Sequence, residues 1–431
     1  MYIPSCLRLA VPRTHSTLGI NATAVRTWYP TNHCHSDASV EGEESRCCWA
    51  NSGQERKNPL VRSERQKVAL VGPKSMRRRY FDAGSLDTHQ RDLPPLLLTD
   101  VSHHLLAKPA AREKNLVVLV TGATGFLGRR VVHELLERGY DVRCLVHTPG
   151  KERMFCHREV EVQYGSVQDS ASLSNAFYDV DAVVHLVGII HPKRRDSFED
   201  VHRGGTANVL AAAKEAGARH FLHLSVIGAA NDRSYPYLYT KWLGEQEVVR
   251  SGIPYTIFRP SVLFGEGDEF LNALAGLVRL FPLVPVIGSG KNRYHPLAAD
   301  DLARCIGITL GREDLKGQAL DLGGTQRMSY NELVSEVAKA MGKRRLRFHL
   351  PTWPIYLMAA LTQGFMPRPP ITTDQIKMLG IRSVAEVGEL ERVFGFTPRL
   401  MEGNIDFVNS VGVVEGILML LGSMPRHIRD H

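Results

Sequence analysis

Glycines at 122, 125 and 128, set between an unbroken apolar pentapeptide and an amphipathic stretch, constrain this chain more than any other feature. Leu116-Val117-Val118-Leu119-Val120 is apolar at every position. A strand reads that way when both its faces are covered, which points to a parallel sheet. Arg129 to Arg138 then carries Val131, Val132, Leu135 and Leu136, the i, i+3, i+4 spacing of a helix with one apolar face. Glycines three apart let the backbone bend sharply, approach a pyrophosphate closely and seat the helix on the sheet. The unpaired amides at the helix start would face the phosphates. We therefore read Thr121 to Gly128 as a dinucleotide cradle, not an ordinary turn. Its contact residues are Gly122, Thr124, Gly125, Phe126, Leu127 and Gly128.

From Asn115 onward strand and helix patterns alternate, as a doubly wound sheet requires. Asp141 to Val146, Val160 to Tyr164, Ala182 to Val187, His220 to Leu224 and Tyr255 to Phe258 succeed one another as strands, with Gly205 to Ala216 the clearest helix between them. The fold class is α/β, a Rossmann-type doubly wound parallel sheet with right-handed crossovers. Beyond Arg259-Pro260 the alternation loosens. Phe270 to Leu280 and Asn331 to Met341 read as helices, Ala319 to Leu322 and Leu346 to His349 as short strands, forming a small C-terminal α/β part woven onto the sheet. The expected organisation is an extension over 1–113, a nucleotide-binding core over 114–262, a substrate or partner part over 263–405, and an apolar tail over 406–431. Two late segments, Trp353 to Met366 and Val411 to Met424, are unusually apolar. Each is too short to span a bilayer, and each reads as a core helix, with a surface against lipid or a partner as the alternative.

Charge argues against nucleic acid. Of a formal +8, residues 1–115 hold 17 Lys plus Arg against 11 Asp plus Glu, a balance of +6, and the remainder is 36 against 34, only +2. The folded part is thus nearly neutral. Residues 1 to about 113 lack helical or strand periodicity and read as disordered. Three arginines and no acid precede Asp37, the composition of an organellar presequence; a plain extension or a misassigned start reads equally from the residues. His33-Cys34-His35 with Cys47-Cys48 lacks the paired spacing of structural zinc sites, so no metal is expected. Cys144, Cys156 and Cys305 read as buried thiols of a reducing compartment.

Tyr237 and Lys241 lie four residues apart, one helical turn, so both side chains share a face. An ammonium beside a phenol lowers the tyrosine from about 10 towards neutrality, where it serves as acid or base. No acid stands after the second strand to take an adenosine ribose 2′-hydroxyl. Instead the segment offers His147, Lys151 and Arg153, which face either a 2′-phosphate or solvent; the expected cofactor is NADP(H) over NAD(H).

The glycine turn, Ser225, the Tyr237 to Lys241 pair and Arg259-Pro260-Ser261-Val262, in that order, resemble the extended and atypical short-chain dehydrogenase/reductase superfamily (NAD-dependent epimerase/dehydratase-like) over about 115–405. Leu224 to Ala229, Tyr237 to Glu245, Tyr294-His295-Pro296-Leu297, Asp300-Asp301-Leu302-Ala303 and Leu322-Gly323-Gly324 resemble the branch of the NAD(P)H-binding accessory subunit of respiratory complex I. The resemblance implies that Lys241 also holds the nicotinamide ribose and that a hydroxyl near Ser225 polarises a substrate carbonyl. The usual place for that hydroxyl is one residue later, where this chain has Val226; Ser225 is otherwise a strand-end hydrogen-bonding residue. It further implies that Ser166 and Val167 lie near the adenine, that Val187 and Gly188 pass under the cofactor, and that Pro260 stands near the nicotinamide amide. Arg259 reads alternatively as a structural ion-pair partner.

Residues and resemblance together point to an NAD(P)H-binding protein whose nucleotide is structural or supports a redox step on an apolar substrate. The alternatives are an active nucleotide-sugar epimerase/dehydratase or carbonyl reductase using Tyr237, and an NADP(H)-sensing assembly module. Expected partners are a protein complex or an apolar small molecule, with peripheral membrane association. The expected place is the cytoplasm or the inner-membrane surface, and the mitochondrial matrix if the extension is a presequence.

Overall fold

The structure is a computed structural model describing residues 115–429 apart from 193–195, 366–368 and 370. The extension over 1–113 and its His33 to Cys48 cluster lie outside the described residues. In chain order the first half comprises β1 (Val117–Thr121), α1 (Phe126–Glu137), β2 (Asp141–Val146), β3 (Val160–Tyr164), β4 (Ala182–His185), α2 (Gly205–Glu215), β5 (His220–Leu224), α3 (Pro236–Arg250) and β6 (Tyr255–Pro260). The second half comprises β7 (Leu263–Phe264), α4 (Glu269–Leu280), β8 (Leu283–Ile287), β9 (Arg293–Tyr294), β10 (Leu297–Ala298), α5 (Ala299–Thr309), β11 (Gln318–Leu322), β12 (Met328–Ser329), α6 (Tyr330–Ala340), β13 (Leu346–Leu350), α7 (Thr352–Phe365), α8 (Thr373–Leu379), α9 (Glu389–Phe394), α10 (Val413–Leu420) and α11 (Arg426–Arg429).

Seven parallel strands form the main sheet in the order β11-β6-β5-β4-β1-β2-β3. The strand order reverses between β1 and β4, where Thr121 registers with His185, and it is outside the carboxyl ends of strands at such a switch point that doubly wound sheets bind ligands. The apolar run of β1 divides by alternation between two cores. Val118 and Val120 pack with Val131, Leu135, Leu302 and Ile306 under α1 and α5, whereas Leu119 packs with Val183, Val209 and Phe221 under α2. Both faces are covered, as the unbroken run demanded. The sheet takes its last strand from Gln318–Leu322, beyond the 262 boundary, so core and C-terminal part interleave. β4 stops at His185, two residues before the expected end, because the chain leaves the ladder once Leu186 N has bonded Thr121 O. A third core joins α4 and α6 with Met401, Ile405, Val408 and Val411.

Three expectations about burial fail. Cys156 is exposed, whereas Cys144 and Cys305 are buried thiols. The two apolar segments are not core helices. α7 buries only Ala359 among its described side chains and presents Trp353 at 70% exposure with Tyr356, Leu357, Met358 and Leu361. α10 packs on α4 through Gly416 against Gly276 and leaves Val413, Val414, Ile417 and Leu421 outward. Both helices are apolar nearly all round, and much of that surface faces away from the rest of the described chain.

Asp268 caps α4, accepting from Leu271 N at 2.6 Å. Burial pushes its carboxyl up to about 7, against about 3.9 in an unfolded chain. Between those values the folded protein holds a proton that the unfolded chain has released, so stability is highest below the window and falls as pH rises through it. Asp268→Asn keeps an acceptor oxygen and should flatten that fall: melting temperatures at about pH 5 and about pH 8 are expected to show the variant gaining on wild type at the higher pH.

Candidate dinucleotide site

The glycine turn has the geometry its spacing implied. Gly122 sits at φ +74°, a conformation that L side chains rarely adopt, and a Cβ there would stand 3.2 Å from Val187 N. Gly125 donates to Gly122 O at 3.0 Å and caps α1 with no side-chain partner. A Cβ on Gly128 would lie 2.1 Å from Gly122 O, so the helix is seated hard against the turn. α1 has no acid in its first turn, leaving its opening amides and positive end to an anion. Thr124 is half-buried and Gly125 exposed at this mouth. Leu127 is turned into the core, so it can offer only backbone, and the Phe126 ring lies 4.5 Å from the Arg130 guanidinium.

At the carboxyl ends of β2 and β3 stand the groups expected at the adenosine end. His147, Lys151 and Arg153 are exposed, and Glu152 among them turns aside to accept from Gly150 N. Ser166 donates its amide to Ser172 Oγ, and its own hydroxyl accepts from Gln168 N. Val167 is buried, and its carbonyl takes Asn208 Nδ2 at 2.9 Å.

On the other side of the switch point, Val187 and Gly188 come after β4. Gly188 opens a slot: a Cβ there would meet His202 Nε2 at 3.7 Å and Lys241 Nζ at 3.9 Å and nothing closer. The bare Cα of Gly188 thus lies open beside the Lys241 ammonium and the His202 ring. Lys241 is buried and donates to Leu224 O, and burial brings its ammonium down to about 8. Tyr237 lies one turn earlier on the same helix. Its ring is edge-on to Phe198 at 5.7 Å and His202 at 5.5 Å, and burial pushes the hydroxyl up to about 12. The spacing points to a lowered tyrosine; here desolvation acts on the phenol in the opposite direction, and the Lys241 ammonium is turned to Leu224 O.

Ser225 is buried, its hydroxyl has no hydrogen-bond partner among the described residues, and half-buried Val226 comes next. Pro260 ends β6 and its carbonyl accepts from Ile227 N at 3.2 Å. Arg259 is an ion-pair partner: Glu245, 1% exposed, takes its Nε at 2.8 Å and its Nη2 at 2.5 Å. Three participants escape sequence reading. Phe198 and His202 reach Tyr237 from the π-helical turn Asp200–Gly204 and its approach, and Thr240 bonds His202 Nδ1 at 2.9 Å. A π turn inserts one residue into a helix and shifts its register, so helical spacing could not place them. Gly244 did carry a signal, since a Cβ there would lie 2.6 Å from His202 O and force α3 off that turn.

Residues 118–323 match the profile of the NAD dependent epimerase/dehydratase family. The chain is 30% identical over 276 residues to the rat (Rattus norvegicus) protein named NADH dehydrogenase [ubiquinone] 1 alpha subcomplex subunit 9, mitochondrial, the match covering 62% of this chain and 72% of the rat protein. A ceramide reductase of Caulobacter vibrioides is 29% identical, over 58% of this chain and 78% of its own length. Among solved structures, that of gox2253 superposes with a TM-score of 0.56 at 23% identity, over 72% of this chain and 100% of that one, a likeness of fold.

Proposed function

We propose that this chain, which belongs to the NAD dependent epimerase/dehydratase family, carries a nicotinamide dinucleotide as a resident structural group, NADP(H) in preference to NAD(H), and serves as a nucleotide-bearing subunit of a respiratory complex I-type assembly. One observation carries this reading: the cradle is complete while the reacting end is not. The glycine turn holds Gly122 at φ +74° and lets α1 sit where a Cβ on Gly128 would strike Gly122 O, while the family resemblance would put Val226 where a carbonyl-polarising hydroxyl is needed and burial pushes the Tyr237 hydroxyl up to about 12. When bound, the dinucleotide supplies hydride chemistry. The chain's own residues bind and orient it: the α1 amides take the pyrophosphate, His147, Lys151 and Arg153 the 2′-phosphate, and Lys241 the nicotinamide ribose.

The relatives named as mitochondrial complex I subunits support a matrix location, as do the three arginines and no acid before Asp37. α7 supports a peripheral contact with the membrane. Its exposed Trp353, Tyr356, Leu357 and Leu361 come shortly after the exposed Arg344 and Arg347, aromatic and cationic groups that suit a lipid interface.

Fluorescence titration of the purified full-length chain tests the nucleotide. NADPH is expected to bind at least about tenfold more tightly than NADH, a difference of about 1.4 kcal/mol for one phosphate contact. His147→Ala with Arg153→Ala should bring the two together, and equal affinities in wild type would defeat the NADP(H) reading. A second reading, a redox step on an apolar carbonyl, is favoured by Tyr237 and Lys241 lying one turn apart. Tyr237→Phe separates the two: retained nucleotide and an intact partner complex fit the structural role, whereas loss of a measurable turnover fits the enzyme.

A further inference from the structure

Beneath the Gly188 slot two short runs of hydrogen bonds meet at His202, one ending on its backbone carbonyl and one passing through its ring. Thr206 Oγ1 gives its only proton to His202 O at 2.6 Å, so it accepts from His185 Nε2 at 3.1 Å. The other nitrogen of that neutral ring, Nδ1, then accepts from Thr121 Oγ1 at 2.7 Å. Thr240 Oγ1 likewise gives its proton to Pro236 O at 2.9 Å and accepts from His202 Nδ1 at 2.9 Å. His202 Nε2 lies 3.1 Å from both Ile189 N and Ile189 O, and with the ring proton on Nδ1 it accepts from the Ile189 N–H. Both imidazoles are uncharged, in keeping with burial that draws each down to about 3.

Together the two runs join the glycine turn, β4, α2 and α3, and the His202 ring holds Ile189, the residue after Gly188. We propose that His202 is a positioning residue for the nicotinamide half of the cradle, holding Ile189 against α3 so that the Gly188 slot stays open beside Lys241. This rests on the reading that the cradle holds a dinucleotide. The π-helical turn is what delivers His202 there, and Gly244 lets α3 close on that turn. Bulged turns of this kind recur at functional sites because they aim a side chain that a regular helix would misplace.

Two ligands separate positioning from mere support. NADPH spans both halves of the cradle, while 2′,5′-ADP lacks the nicotinamide half. For His202→Ala in the full-length chain, calorimetry is expected to show NADPH weakened by about tenfold or more and 2′,5′-ADP unchanged. His202→Gln, whose amide oxygen can accept from Ile189 N–H, should recover most of the loss. Equal weakening of both ligands, unchanged NADPH affinity, or no recovery with glutamine would each overturn the proposal. Failure of wild type to bind either ligand would overturn the cradle reading itself, a result distinguishable from these.

Discussion

Gly128→Ala is expected to abolish dinucleotide binding while leaving a folded, weakened protein. The new Cβ would stand 2.1 Å from Gly122 O and 2.7 Å from Ala123 O, both backbone atoms that cannot swing aside. Either α1 lifts from β1 or the turn opens, and both movements displace the amides that would face the pyrophosphate. Overpacking of this kind costs about 1–3 kcal/mol, set against the roughly 5–15 kcal/mol stability of a domain. Circular dichroism should therefore report a folded chain with a lowered melting temperature, and NADPH titration should report no binding. Gly311→Ala is the control, because a Cβ there meets nothing closer than 3.9 Å. Retained NADPH affinity in Gly128→Ala would remove the glycine turn from the binding site.

The second large effect is one of stability. Glu245 is 1% exposed and holds Arg259 by two hydrogen bonds, tying α3 to the end of β6; Asp321 adds a weaker contact to the same guanidinium at 3.7 Å. Glu245→Ala leaves a partly buried guanidinium with only Asp321, and breaking a buried pair from one side costs about 3–5 kcal/mol. Urea denaturation near neutral pH should show the midpoint falling accordingly. Removing both charges, Glu245→Met with Arg259→Met, should recover much of the loss, because a buried pair is often replaceable by apolar groups of similar volume. If the double variant is no better than Glu245→Ala, the cost lies in packing and not in the stranded charge. Glu245 also raises Lys241 towards its usual range, so its loss should loosen nucleotide as well.

Much of this architecture is legible in the sequence because it is written in short-range patterns. The apolar run of β1, the helical face of α1 and the three glycines each need only local spacing, and Asp141–Val146, Val160–Tyr164 and His220–Leu224 fall where alternation puts them. What stays hidden depends on distant neighbours. Spacing alone puts Tyr237 and Lys241 on one face, but not the rings of Phe198 and His202 that desolvate the tyrosine. The bonds linking Thr121, His185 and Thr206, and those linking His202 to Thr240, join residues far apart in sequence, and no periodicity announces them. The apolar stretches Trp353 to Met366 and Val411 to Met424 mislead for a related reason: composition reports that a helix wants cover, and only the fold shows that the described chain leaves much of α7 and α10 bare.

Whether a nucleotide is resident is decided by native mass spectrometry of the full-length protein purified from its host. The expected spectrum shows a folded chain, or its complex, heavier by one NADP(H), with the nucleotide released on denaturation. A bare chain that also takes up no added NADPH would contradict a resident dinucleotide and with it the structural role proposed for the cradle.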